Sequence, residues 1–300
     1  MTSSFGAAAT TYDAAARPQR LAASRLVAEA WHSISAACGV EGGALPDGVI
    51  DLGCGTGLVA AAWLELLQAQ GQPLPRQWLL VDQVPEMVER AVERLRARQC
   101  HQQAAVKAQG QARVQGVVVD AFADAAVETL VPLLAPEASH PRLVLSSYAL
   151  QWSAAPLEVL KTVWGRLLRP GDWLAVAVPD DRSFAVLRAA LVEADLPSHL
   201  LALPASDALI GAAARSTLAD GFAWVDGGSF ANGVPVASAL DYLRHFTRIG
   251  ARSGRSLYSR GQLTRLCRCL DQQLSAGAAE LDYHSTWMLL RRLEPTQAPR

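Results

Sequence analysis

The chain has 300 residues, 51% of them hydrophobic, with 27 basic and 28 acidic side chains and a formal net charge of −1. So small a net charge leaves no global field to draw nucleic acid or an anionic membrane, and any electrostatic partner must be met by a local cluster. No stretch approaches the roughly 18 to 20 uninterrupted apolar residues of a membrane span, and the opening M-T-S-S-F-G-A-A-A-T-T-Y-D lacks a signal-peptide pattern, so the expected location is cytoplasmic.

Taken in chain order, the spacing of Leu21, Ala22, Leu26, Val27 and Trp31 predicts a helix over 17–38. Pro46-Asp47-Gly48 turns into a strand at 49–52, followed by a helix at 58–70 and a second strand at 78–81. Pro85 and Glu86 open a helix over 85–98. Residues 110–116 read as a polar loop, 117–119 as a third strand ending at Asp120, 143–146 as a fourth, 156–168 as a helix and 173–178 as a fifth strand. Strands separated by helices imply a doubly wound, mainly parallel sheet whose ligand lies at the carboxyl ends of the strands. Residues 1–39 would supply a lid helix and 40–180 the core. Residues 181–270 read as a substrate-binding insertion, helical at 185–194 and 237–249, with 221–233 a turn-bounded strand; 271–300 hold the closing strand at 279–293 and a disordered tail at 294–300.

Between the first strand and its helix stands V-I-D-L-G-C-G-T-G, residues 49–57, with glycine at 53, 55 and 57. Glycines there let a ligand approach the backbone at a helix start that offers free N–H groups, which suits a nucleotide cofactor. The dinucleotide pattern G-x-G-x-x-G would need glycine where Leu58 stands, and no G-K-[ST] follows, so neither a dinucleotide nor a triphosphate fits. Asp82 closes the next strand, and Asp120 ends the third beside Ala121 and Phe122.

The pattern D-x-G-x-G-x-G resembles motif I of the class I S-adenosylmethionine-dependent methyltransferases. The resemblance implies a Rossmann-like, seven-stranded, mainly parallel sheet. It also implies S-adenosylmethionine as cofactor, leaving as S-adenosylhomocysteine. The cofactor residues it implies are Asp51, Gly53, Cys54, Gly55 and Gly57; Asp82, Gln83 and Met87; Asp120, Ala121 and Phe122 near the adenine; Ser146 after the fourth strand; and Tyr12 from a segment that closes over the site.

Further segments, F-G-A-A-A-T-T-Y-D, S-S-Y-A-L-Q-W, L-L-R-P-G-D-W-L-A, Y-L-R-H-F-T-R-I-G-A and L-D-Y-H, resemble in order and spacing the malonyl-carrier-protein O-methyltransferase family of biotin synthesis. That family methylates the free carboxylate of a malonyl thioester on acyl carrier protein. A carboxylate is ionised at pH 7 and needs no strong base, so catalysis would rest on in-line positioning. A cation must still hold it, and Arg244, Arg248, Arg252, Arg255, Arg260, Arg265 and Arg268 cluster with almost no acids. Arg244 and Arg248, beside Tyr242, Phe246 and Ile249, are the expected pocket residues; Tyr148 is the third expected acceptor-site residue, and outer arginines would meet the carrier protein. Gln151 and Trp152 either line the acyl site or support its loop. The sequence departs from the family at Ala7, at Arg248 and at V-P-D-D-R-S. Trp63, Trp78 and Trp173 read as core, His245 and Tyr283-His284 as structural or polar contacts, and Cys38, Cys54, Cys100, Cys267 and Cys269 as free thiols with no metal site.

Overall fold

The structure is a computed structural model, and it describes residues 6, 11–41, 44–100, 112–134, 140–216, 221–251, 258–277 and 279–294. Helix α1 (Arg17–Glu41) precedes β1 (Gly48–Leu52), then α2 (Leu58–Ala69), β2 (Gln77–Asp82), α3 (Pro85–Cys100), β3 (Arg113–Val118), α4 (Asp124–Leu130) and β4 (Arg142–Ser147). Helix α5 (Pro156–Val159) passes through a π turn at Leu160–Trp164 into α6 (Gly165–Leu167) and β5 (Trp173–Pro179). There follow α7 (Ala185–Glu193), α8 (Ser206–Ser216), β6 (Phe222–Ala231), β7 (Val234–Pro235), α9 (Ala239–Arg248), α10 (Arg260–Ala276), β8 (Glu280–Leu281) and β9 (His284–Arg292). The main sheet runs β3-β2-β1-β4-β5-β9-β6, with β9 antiparallel to both neighbours, which is the expected Rossmann-like, seven-stranded, mainly parallel architecture. Strand order reverses between β1 and β4, and the crevice opens there.

Both faces of the sheet are covered, so neighbouring strand residues serve different cores. Val49, Trp78, Leu80, Leu143 and Trp173 pack with Leu26, Ile34, Trp63 and Leu95 of α1, α2 and α3. Ile50, Leu79, Val144 and Leu174 pack on the other face with Val127, Trp164 and Leu209. The three tryptophans read as core are core.

Four expectations meet a different arrangement. Strand β3 begins at Arg113, inside the expected loop, because it is an edge strand paired only with β2, where polar residues are tolerated. Its Gly116 is a packing glycine, since a Cβ there would stand 2.4 Å from Val88 of α3. The insertion comes in two pieces: α8 and β6 rejoin the main fold, while α7, α9 and α10 build a separate cap around Leu187, Leu191, Tyr242, Leu266 and Leu270. Helix α1 packs mainly in the layer beneath the sheet, and the cleft is reached by Tyr12 of the helical turn at 11–15 and by Gln19 in the first turn of α1. Ala7, Arg252, Arg255, residues 110–111 and 295–300 lie outside the described residues.

Candidate functional site

The three glycines of the loop after β1 all take positive φ, +70° at Gly53, +51° at Gly55 and +80° at Gly57, a region that L side chains enter only at a cost. A Cβ on Gly53 would lie 2.3 Å from the Ala149 Cβ, and one on Gly57 would lie 3.0 Å from Ala91 of α3. A Cβ on Gly55 would meet nothing of the protein within 4 Å. The outer two glycines therefore wedge the loop between neighbouring elements, and the middle one turns to open space. That space is a cavity of about 240 Å³ lined by Tyr12, Gly53, Cys54, Gly55, Asp82, Gln83, Met87, Asp120, Ala121, Phe122, Tyr148 and Trp152, among others.

Asp82 lies at the mouth of β2. Its Oδ2 accepts from the Gly55 N–H at 2.9 Å and its Oδ1 from the Val84 N–H at 3.0 Å. Burial raises its pKa, and the N–H groups of Gly55, Val84 and Gln83 work against that. Asp120 is exposed and accepts from the Phe122 N–H at 3.0 Å; the Ala121 carbonyl accepts from the Trp164 indole N–H at 2.7 Å. Asp51 lies behind the loop, fully buried, and neither carboxylate oxygen makes a hydrogen bond of normal geometry. Burial above all, and the neighbouring Asp82, push its pKa up to about 8, the Ala60 N–H in the first turn of α2 offsetting only part. The buried Cys54 thiol is pushed well above its ordinary range, chiefly by desolvation, and stays a neutral wall.

The wall formed by the N-terminal turn is tied down by residues that sequence reasoning passed over. The Thr56 hydroxyl donates to Asp13 Oδ1 at 2.7 Å, the Arg94 guanidinium pairs with the other Asp13 oxygen, and Arg20 donates to the Asp13 carbonyl at 2.6 Å. Tyr12 is thereby held against Val84 and Met87. An acid next to an N-terminal tyrosine was the available signal.

On the β4 side the expected Ser146 is fully buried and donates to the Leu52 carbonyl at 2.8 Å, whereas Ser147 lines the cavity with an unpartnered hydroxyl. Strand alternation turns the first inward and the second outward. Tyr148, at φ +57°, presents its ring to the cavity while its hydroxyl contacts Ser285 Oγ at 2.7 Å and receives an N–H from Asn232 at 2.8 Å. Gln151 does not line the cavity; its amide donates to the Tyr148 carbonyl at 2.7 Å, which supports the loop. Arg244 and Arg248 do not reach the cavity either: both are exposed, and Arg248 lies 3.6 Å from Asp241. The buried face of α9 carries Tyr242 and His245 instead, and His245 Nε2 lies 3.0 Å from the Tyr283 hydroxyl. Burial lowers the His245 pKa to about 4, leaving a neutral structural imidazole.

The model of the methyltransferase domain family matches residues 13–268. The chain belongs to the methyltransferase domain family. With its seven-stranded sheet it is a class I S-adenosylmethionine-dependent methyltransferase. No curated protein sequence matches it. Solved structures similar to this methyltransferase include a Haemonchus contortus phosphoethanolamine N-methyltransferase (17% identity, 88% of this chain and 53% of that one, TM-score 0.41). Others are the plantazolicin methyltransferase BpumL (12%, 96% and 89%, TM-score 0.46) and the [4+2]-cyclase SpnF (15%, 91% and 82%, TM-score 0.47).

The methyltransferase uses S-adenosylmethionine and releases S-adenosylhomocysteine. Its cleft fits that cofactor: a bare loop at Gly55, an acid at the end of β2 and a buried, unpartnered Asp51 favour a ligand that carries hydroxyls and positive charge. Asp82 would hold the ribose, Ala121 and Phe122 would flank the base, and Gly53 to Gly55 would pass under the amino-acid end. The bound cofactor supplies an electrophilic methyl group; the protein supplies alignment and shelter from water.

Proposed function

We propose that this methyltransferase esterifies the free carboxylate of a malonyl thioester borne on acyl carrier protein. The observation that supports a carboxylate acceptor is the chemistry of the cleft wall beyond β4. Among the described residues there, Tyr12, Gln19, Ser147, Tyr148 and Trp152 include no base. Burial pushes the phenols of Tyr12 and Tyr148 well above their ordinary range, so they stay protonated. An alcohol would need its proton removed at such a wall, whereas a carboxylate arrives ionised. A carboxylate needs no proton moved by the protein in order to accept the methyl group that the bound cofactor would supply, the sulfur keeping the electron pair of the broken bond. Opposite charges meet and cancel in a poorly polar cleft, which strengthens their attraction.

The carrier protein enters the proposal through the surface. Arg244, Arg248, Arg260, Arg265 and Arg268 are exposed on α9 and α10, a basic face suited to an acidic partner. The expected role of Arg244 and Arg248 thus moves from gripping the malonyl carboxylate to receiving its carrier.

The test is mass spectrometry of malonyl-carrier protein incubated with enzyme and S-adenosylmethionine, with succinyl-carrier protein and free malonate alongside. A gain of one CH₂ on the malonyl-carrier protein alone supports the reading. No gain, while calorimetry still records cofactor binding, discards the acceptor and leaves the methyltransferase.

A further inference from the structure

At the back of the cleft, three side chains from distant parts of the chain close a ring of hydrogen bonds. Asn232, which follows β6, is 4% exposed, and Ser285 of β9 is fully buried. Asn232 Nδ2 donates to the Tyr148 hydroxyl at 2.8 Å and to the Pro18 carbonyl at 2.9 Å, using both its protons. Its Oδ1 accepts from the Ser285 hydroxyl at 2.9 Å. Exchanging the amide's oxygen and nitrogen would set two acceptor oxygens face to face at Pro18, so the Pro18 carbonyl fixes the orientation. With the Ser285 proton committed to Asn232, the 2.7 Å contact between Ser285 and Tyr148 takes the phenol proton. Every bond then runs the same way round, from Tyr148 to Ser285 to Asn232 and back, an arrangement in which each bond polarises the next.

Two consequences follow for the cleft. The Tyr148 hydroxyl has no proton left for an acceptor, so the residue serves the cleft with its ring, held at φ +57° against backbone preference. The ring stacks on Tyr283 at 5.8 Å. The same amide that orients Tyr148 also grips the first turn of α1, directly after the N-terminal segment that lays Tyr12 over the cavity. We infer that Asn232 is a positioning residue that couples docking of the N-terminal segment to the orientation of the Tyr148 ring in the acceptor cleft. The turnover part of this inference rests on the proposed acceptor; the structural part does not.

The test combines hydrogen exchange of residues 11–26 and 145–152 with turnover of malonyl-carrier protein for wild type, Asn232→Ala, Tyr148→Phe and the double variant. In Asn232→Ala exchange speeds up in both segments, and kcat falls roughly ten- to a hundredfold, the loss a small misplacement near reacting atoms produces. In Tyr148→Phe exchange speeds up in 145–152 alone. Adding Asn232→Ala to Tyr148→Phe lowers kcat no further, yet still loosens 11–26. Exchange in Asn232→Ala that changes in only one segment, or an equal loss of kcat in both backgrounds, overturns the inference. Should wild type not methylate malonyl-carrier protein, the acceptor proposal falls and the exchange pattern alone decides the coupling.

Discussion

Replacing Asp51 with asparagine isolates the price of keeping a carboxyl behind the glycine loop. Burial above all lifts the Asp51 pKa to about 8 from an ordinary value near 3.8. Between those values the folded protein holds a proton that the unfolded chain releases, so this residue's contribution is full below the unfolded pKa and is lost as pH climbs through the folded one. Four pH units at about 1.4 kcal/mol each set an upper bound of roughly 6 kcal/mol on that loss. Asparagine cannot ionise, so Asp51→Asn lacks this slope. The assay is the thermal midpoint of wild type and variant without cofactor from acid to mildly alkaline pH. The wild-type midpoint, taken relative to the variant's, falls as pH rises toward 8, by several degrees in total. Calorimetry in buffers of different ionisation enthalpy adds a second reading: the cofactor brings net positive charge, lowers the Asp51 pKa, and so binds to wild type near neutral pH with release of a proton, and to the variant without that release. A difference in midpoint that stays flat with pH would refute the reasoning.

Three other predictions can be checked alongside. Asp82→Ala removes the acceptor of two backbone N–H groups and the carboxylate that would hold the ribose hydroxyls, so cofactor affinity measured by calorimetry falls about a hundredfold or more; a twofold loss would sink the assignment. Gly53→Ala drives a methyl group to 2.3 Å from the Ala149 Cβ at φ +70°, and chemical denaturation records a loss of roughly 2 to 4 kcal/mol. Arg244→Ala with Arg248→Ala leaves cofactor affinity unchanged and raises KM severalfold for malonyl-carrier protein but not for a small malonyl thioester; an equal rise for both would return these arginines to the pocket.

The cofactor half was legible because its signals are local. The glycine spacing after an apolar strand, Asp82 at the end of β2 and Asp120 two residues beyond β3 are each marked by a short stretch of sequence, and the structure places the loop and both acids around one cavity. What failed needed partners remote in the chain. Gly116 reads as a loop residue until Val88 is known to lie over it. Ser146 and Ser147 are indistinguishable until the pleat of β4 assigns one to Leu52 and the other to the cavity. Arg244 and Arg248 are a different lesson, because the answer was available: Tyr242, His245 and Ile249 form the buried stripe at helical spacing, and the two arginines lie on the opposite side. The ring through Asn232 and Ser285 joins positions 18, 148, 232 and 285, and no local pattern announces it.

The wedged glycine loop has a kinetic consequence. Braced between Ala149 and Ala91, it cannot swing aside to admit a nucleoside. Of the walls described, the N-terminal turn is the one fastened by an ion pair, between Asp13 and Arg94, beside the hydrogen bond from Thr56 to Asp13. Ions in the medium compete with such a pair far more than with packed methyl groups. Cofactor exchange should therefore quicken with ionic strength while the melting temperature barely moves, so that salt acts on the door without touching the frame.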